Sequence, residues 1–294
     1  MSVTIALDAM GGDDAPGMVI EGAIRAARRN PEVAFILVGQ EDAISEQLGK
    51  QNGERSRFQI HPASQVVGMA EKPSVALRKK KDSSMRVGAN LVKAGTADAF
   101  VSAGNTGALM ATARFVLKML PQVDRPAIAS LLPAIESDTL MLDLGANVDC
   151  TAEHLVQFAT MGSVFAQVIM GLEKPRVGLL NIGEEEVKGN GVVKEAGEIL
   201  KRTSDTFIGS VEGDDIFKGP VDVVVCDGFV GNVSLKTSEG VAQMITHMLK
   251  ESFRSSLMAK LGYFFVRPAL NRFRDRFDHR RYNGAILLGL NGVV

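Results

Sequence analysis

A chain of 294 residues is long enough to bury a large core, as one big domain or as two lobes. With 33 basic and 34 acidic residues, a net charge of −1 argues against a generally nucleic-acid-binding surface, though local charge can still matter. Hydrophobic residues make up 46% and mean hydropathy is +0.09, yet no apolar run reaches membrane-spanning length, so a soluble globular protein is expected.

Val3 to Leu7 reads as a short strand, and Asp8 to Ala27 as a polar Gly-rich loop entering a helix that Asp13 or Asp14 could cap. No basic n-region or cleavage-type segment precedes that strand, so a cytoplasmic protein is expected. AFILVG, Ala34 to Gly39, is the next buried strand; the polar helix EDAISEQLGK and a third strand near Phe58 to His61 follow. His61 ends that strand and reads as structural or exposed. Such alternation, without a Pro-rich or Ser-rich linker, is the signature of an α/β fold with a mainly parallel sheet.

KPSVALRKKKDSSM then carries Lys72, Arg78, Lys79, Lys80 and Lys81 on a helix start and its continuation. They form either a solvated face or the lining of a phosphate-bearing cleft. In Ala99 to Leu120, apolar residues to Val101 give a strand, Ser102 to Gly107 a Gly-rich turn, and Leu109, Ala113, Val116, Leu117 and Leu120 a helical face. Thr106 is a candidate N-cap. The N–H groups of Gly107, Ala108 and Leu109 would then lie at the positive end of the helix dipole, where phosphate or carboxylate is received. The alternative is a plain strand-to-helix connection. Pro121 stops the helix, and Arg125 precedes Pro126 and a strand.

The same grammar recurs. A strand to Leu144 leads through Gly145 to Cys150 into a long apolar helix, with Thr151 and His154 spaced as a capping pair. Val177 to Leu180 leads into Asn181, Gly183, three glutamates and Lys188, with a helix from about Val192. The glutamates suit a solvated helix entry, and no metal is expected. VDVVVC leads into Asp227, Gly228, Gly231 and Asn232, with Lys236 in the next helix. Cys226 should be buried in its strand. Cys150 lies in a loop with no histidine placed near it by sequence, and two distant thiols without metal spacing fit a reducing compartment.

Five strand-to-helix junctions therefore carry Gly with Asp or Asn, and in one parallel sheet their strand ends would share an edge forming a polar cleft. None matches GxGxxG or GxxxxGK[ST], so dinucleotide and P-loop readings lose support. The stretch Ser252 to Tyr282 differs. It holds seven of the sixteen aromatics and eight Lys or Arg against two Asp. Leu257, Leu261, Phe264, Phe265, Arg267 and Arg272 would present apolar and cationic faces of a helix pair separated at Pro268. That pair suits an anionic membrane surface or an acidic protein partner; a dimer interface or core pair is the plain alternative. The end, YNGAILLGLNGVV, reads as strand, turn and strand.

Taken together, DAMGGD, SAGNTGA, DLGANVDC, NIGEE with KG, DGFVGN and GAILLGLNG resemble the bacterial phosphate acyltransferases of phospholipid synthesis, the PlsX family, over the whole chain. The resemblance implies a three-layer α/β/α fold shared with phosphotransacetylases and isocitrate or isopropylmalate dehydrogenases. It implies one catalytic domain over 1–294 with two intertwined lobes, the 252–282 helices being an inserted membrane- or partner-binding element. It also implies a homodimer, without cofactor, that converts long-chain acyl-acyl-carrier-protein and inorganic phosphate to acyl phosphate and free carrier protein. A membrane glycerol-phosphate acyltransferase would consume the product, and the enzyme would be cytoplasmic and peripherally membrane-associated. Family chains continue past Gly292 with a Lys-Ser-His-Gly segment and a further helix.

On that basis Asn105, Asn232, Lys236 and Asp143 are the expected catalytic residues, and Ser102, Gly104, Thr106, Gly107, Asn147, Arg125 and Asn181 the expected substrate-binding ones. The loop with Ser102, Asn105 and Thr106 would hold phosphate, as would Arg125. Asn232 and Lys236 would face phosphate or oxyanion, while Asp143 and Asn147 orient the site. Two other functions fit less of the sequence. A metal- and NAD-dependent hydroxy-acid dehydrogenase of the same fold would need an aspartate cluster, and a membrane-bound scaffold would leave five polar loops unexplained.

Overall fold

The computed structural model describes residues 3–51, 55–256, 258, 262–268, 270 and 284–294. The chain divides into two compact units, Met1–Pro126 joined by Leu287–Val294, and Ala127–Ile286.

In the first unit β1 (Thr4–Asp8), α1 (Gly17–Arg29), β2 (Ala34–Gly39), α2 (Glu41–Gly49), β3 (Phe58–Pro62), α3 (Pro73–Lys79), α4 (Ser84–Lys93), β4 (Ala99–Val101) and α5 (Thr106–Leu117) follow in order. The sheet order is β3-β2-β1-β4, all parallel, with Leu7 opposite both Leu37 and Val101. The two-residue period of a strand sends alternate side chains to opposite faces. Phe35 and Leu37 thus pack with Ile20, Ala23, Ile24 and Ala27 of α1 and with Ile44 and Leu48 of α2. Ile36 and Val38 pack on the other side with Ala76 of α3, Met85 and Leu91 of α4 and Ala108 of α5. Apolar α1 positions at i, i+3, i+4 and i+7 make that stripe possible, and each large side chain fully buried in it contributes roughly 1.5–3 kcal/mol.

Neither Asp13 nor Asp14 caps α1. Pro16 holds the cap position without a side-chain hydrogen bond; its ring supplies a near-helical φ and it has no N–H to satisfy. Asp14 contributes only its backbone carbonyl, which accepts from Met18 N at 3.1 Å.

The second unit runs β5 (Ala127–Leu132), β6 (Thr139–Leu142), α6 (Ala152–Ile169), β7 (Val177–Leu180), α7 (Gly191–Thr203), β8 (Phe207–Val211), α8 (Asp215–Lys218), β9 (Val223–Val225) and α9 (Gly228–Arg254); β10 (Ile286–Leu288) carries the chain back to the first unit. The strands of this unit lie in the order β5-β6-β9-β7-β8, parallel except for β5, which is antiparallel to β6. Val223, Val224 and Val225 are completely buried, as a parallel strand covered on both faces requires. α6 approaches the sheet at Gly162, where a Cβ would stand 2.6 Å from Val223 and 2.9 Å from Leu142. Its start is capped reciprocally, His154 N donating to Thr151 Oγ1 and Thr151 N to His154 Nδ1, which is the expected capping pair.

One sheet with five junctions along one edge was the sequence expectation, and two sheets stand in its place. The loops after β1 and β4 share the carboxyl edge of the first sheet, and those after β6, β9 and β7 share that of the second. α9 runs for 27 residues and buries only Gly228 and Gly231. Residues 262–268 are helical, Pro268 being the last of that stretch. Leu257, Leu261 and Arg272 lie outside the described residues. No helix among the described residues is long and apolar enough to cross a membrane. The closing segment forms β10 and two isolated bridges, Leu290 with Met119 and Val293 with Ala99.

Candidate active site

In the first unit the polar loops are built on Asp8. This carboxylate ends an apolar strand, is 2% exposed, and accepts hydrogen bonds from Ser102 Oγ at 2.7 Å and Met10 N at 3.2 Å. Ser102 Oγ in turn accepts from Gly104 N at 3.1 Å, so one buried carboxylate ties the loop after β1 to the loop after β4. The approach is too close for a side chain at Gly11, where a Cβ would lie 2.8 Å from both Asp8 Oδ2 and Gly104 N. Ser102→Ala removes the donor that satisfies Asp8, and an expected loss of about 1–3 kcal/mol should appear as a lower denaturant midpoint.

The N-cap of α5 is Asn105, one residue before the expected Thr106. Asn105 Oδ1 accepts from Ala108 N at 3.0 Å, and an Asn is at least as good a cap as a Thr because its carbonyl reaches the third N–H of the helix. Its Nδ2 donates to Met69 O at 2.7 Å and Glu71 O at 2.9 Å, fixing the preceding loop against the helix start. Leu109 N is used by Asn105 O and Ala108 N by the cap. The N–H groups of Thr106 and Gly107 are left, and neither is bonded among the described residues. Ser102 and Asn105 are thus committed to shaping the loop, and the backbone supplies its open donors. Arg125 also belongs to this unit and is half-buried.

The second unit repeats the device around Asp143, which is completely buried. Its Oδ1 accepts from Ile128 N at 2.9 Å, Ala146 N at 3.0 Å and Gly145 N at 3.3 Å. Its Oδ2 accepts from Asn147 N at 2.7 Å and Asn147 Nδ2 at 2.9 Å. Burial pushes this carboxyl above its ordinary pKa, and the hydrogen bonds from Ala146, Ile128 and Asn147 only partly offset that. Asp143 and Asn147 hold each other and the loop.

α9 enters the same loop by close backbone approach. Gly228 N donates to Asn147 O at 2.7 Å, Asp227 Oδ1 accepts from Val230 N as the cap, and a Cβ on Gly231 would fall 1.8 Å from the Asp143 carbonyl oxygen. Asn232, the next residue, packs over Gly145, whose φ is +130° and where an added Cβ would lie 3.6 Å from the Asn232 side chain. The Asn232 amide is exposed and has no hydrogen-bond partner among the described residues. Lys236 follows one turn later on the same helix face, its Nζ 2.8 Å from Glu239 Oε2.

Asn181 is locked inside its own loop. Its Oδ1 accepts from Ile182 N and its Nδ2 donates to Lys188 O and Ser210 Oγ, both at 3.2 Å. Glu185 and Glu186 of the same loop pair with Lys188 and Lys201, and no metal-type cluster of His, Cys, Asp or Glu occurs among the described residues. Burial first, then the charges of Asp227 and Asp143, push the Cys226 thiol well up, so it is a buried thiol and a poor nucleophile. Sequence reasoning passed over Asp8 as a site residue and Gly231 as a packing one. A lone Asp closing an apolar strand was the available signal for the first; nothing in the sequence marked the second.

Solved structures define the fold. A phosphotransacetylase from Streptococcus pyogenes aligns with TM-score 0.63 at 19% identity over 82% of each chain. The EutD phosphotransacetylase from Staphylococcus aureus aligns with TM-score 0.59 at 20% identity, over 82% of this chain and 83% of that one. The fold is the three-layer α/β/α fold of phosphotransacetylases. At the level of sequence, a family model described as "Fatty acid synthesis protein" matches residues 3–294. A phosphate acyltransferase from Magnetococcus marinus is 63% identical over 100% of this chain and 86% of its own length. One from Alkalilimnicola ehrlichii is 59% identical with the same coverage. The chain belongs to this phosphate acyltransferase family and is an acyl-transferring enzyme.

Proposed function

We propose that the protein converts long-chain acyl-acyl-carrier-protein and inorganic phosphate to acyl phosphate and free carrier protein in phospholipid synthesis. A phosphate oxygen attacks the thioester carbonyl carbon, the carbonyl oxygen carries the negative charge of the tetrahedral intermediate, and the C–S bond breaks to release the carrier thiol. Phosphate is itself the nucleophile, so the chain needs no covalent intermediate. Family membership carries the reading. It is supported by the start of α5, where Thr106 and Gly107 offer open N–H groups in a loop fixed by Asp8 and Asn105. Two such donors at the positive helix end suit a phosphate. Asn232 is the proposed oxyanion donor, with Lys236 and Arg125 as charges toward phosphate and Asp143, Asn147 and Asn181 as positioning residues. Holding two reactants together supplies on the order of 7–11 kcal/mol, and one aimed oxyanion donor roughly 3–4 kcal/mol.

The direct test mixes acyl carrier protein thioester, phosphate and enzyme. The acyl phosphate is trapped as a hydroxamate and the freed carrier thiol is counted. Equal amounts of both, dependent on phosphate, are expected; thiol release without phosphate, or turnover requiring a nicotinamide, would overturn the reading.

The same reading places the enzyme in the cytoplasm as a homodimer, peripherally on an anionic membrane where a glycerol-phosphate acyltransferase takes its product. Support for the dimer is the α9 face, where Val241, Met244, Ile245 and Met248 are all exposed. Support for the membrane is the helical stretch 262–268, where Phe264 and Phe265 are 71% and 78% exposed beside Arg267. Phe264→Glu with Phe265→Glu is expected to abolish most co-sedimentation with phosphatidylglycerol vesicles while leaving turnover of soluble substrate intact. Equal co-sedimentation of variant and parent would remove this element from the proposal.

A further inference from the structure

The α3, α4 and α5 layer of the first unit carries a charge anomaly that the reaction does not use. From Lys72 to Lys118 the chain holds nine Lys or Arg against two Asp. Both aspartates are occupied by neutral donors, Asp82 by Ser64 and Asp98 by Thr4 N. Elsewhere the balance is mixed: Arg25, Lys50, Lys218 and Lys236 pair with Glu21, Glu46, Asp214 and Glu239, while Arg29, Lys174, Lys194 and Lys250 have no ion pair among the described residues. In this layer Lys80 alone is paired, with Glu71; the other eight have no ion pair among the described residues. At its centre stands Phe115 of α5. Arg86 lies 4.6 Å and Lys118 4.8 Å from its ring centroid, yet the ring remains 51% exposed.

A single unpaired cation or exposed ring is ordinary on a solvated face; nine cations against two occupied aspartates, with two of the cations set against one half-exposed aromatic, form a concentrated positive patch with an apolar centre. An exposed ring flanked by cations is an anchor with a steering field around it, aromatic and Arg at the centre and Lys on the rim. We propose that this face, centred on Phe115 between Arg86 and Lys118, docks an acidic carrier protein that delivers the acyl thioester. The partner's carboxylates meet Arg86, Arg114 and Lys118, an apolar side chain of the partner covers Phe115, and Arg78, Lys79 and Lys81 draw the approach. The identity of the cargo rests on the reaction proposed above; the surface itself does not.

Binding of acyl carrier protein is measured by calorimetry for the parent, for Arg86→Glu with Lys118→Glu, and for Phe115→Ala, with thermal melts confirming folding. A Kd weakened roughly tenfold or more by the charge reversal, and a parent affinity that falls steeply with salt, are expected. Turnover of a small acyl-pantetheine thioester should be unchanged in both variants. An unchanged Kd for the carrier protein overturns the proposal. So does a charge reversal that abolishes binding to phosphatidylglycerol vesicles while carrier affinity stays the same. If the parent binds the carrier through this face but forms no acyl phosphate, docking stands and the reaction reading falls. Should the reversal variant unfold, Arg86→Ala with Lys118→Ala gives the same comparison with a smaller shift.

Discussion

Gly231→Ala is expected to destabilise the protein by about 3–5 kcal/mol and to lower Tm by about 10 °C. The added Cβ would lie 1.8 Å from the Asp143 carbonyl oxygen, 2.9 Å from its carbon and 3.0 Å from Cys226 Sγ. A methyl group has no rotamer to escape into, and the obstacle is backbone rather than the flexible end of a side chain. α9 or the Asp143 loop must shift, and that loop is held by five N–H groups converging on one buried carboxylate. The penalty therefore exceeds the ~1–3 kcal/mol of ordinary overpacking and is a large share of a typical total of about 5–15 kcal/mol. Gly240 of the same helix has nothing within 4 Å of its Cβ position, so Gly240→Ala should be neutral or stabilise by up to ~1 kcal/mol. A melt in which both variants match the parent would show that the Asp143 loop opens freely.

Asn232→Ala is expected to lower kcat by about 10²–10³ with Tm within a degree or two of the parent. Those two readouts separate because the Asn232 side chain makes no hydrogen bond among the described residues, so its removal takes nothing from the fold. Asn105→Ala should behave in the opposite way. It loses an N-cap worth typically ~1 kcal/mol together with the anchors to Met69 O and Glu71 O, so stability and rate should fall together. If Asn232→Ala retains a third or more of parental kcat in the phosphate-dependent assay, Asn232 is not the oxyanion donor.

The local grammar was legible because it depends on neighbours in sequence. Val177 to Leu180 was bounded as β7 by its apolar run, and Thr151 with His154 by their spacing. Sheet membership was not legible, since five similar junctions carry no mark of which strands pair over long range. β4 joins β1 across some ninety residues, and β6 joins β9 across some eighty. Asn105 and Thr106 are both competent caps, and loop anchoring through Met69 and Glu71, invisible from the local sequence, selects the first. The acyl-transfer reading held because it rested on a set of motifs that together resemble one family over the whole chain. That Ser102 and Asn105 shape their own loop was not legible, because a polar residue holding its loop and one facing a ligand look alike until their hydrogen bonds are known.

The return of the chain at β10 has a consequence for biosynthesis. Val293 O accepts from Phe100 N at 3.0 Å, Lys118 O accepts from Asn291 N at 3.0 Å, and Gly292 sits against Val92 and Leu117. The free edge of β4 is thus sealed by residues that emerge only after all of Ala127–Ile286. At about 5–20 residues per second that delay is on the order of 8–30 s. Throughout it, the nascent first unit carries an open strand edge of the kind that invites pairing with a neighbouring chain, and translation speed across the second unit sets how long that exposure lasts.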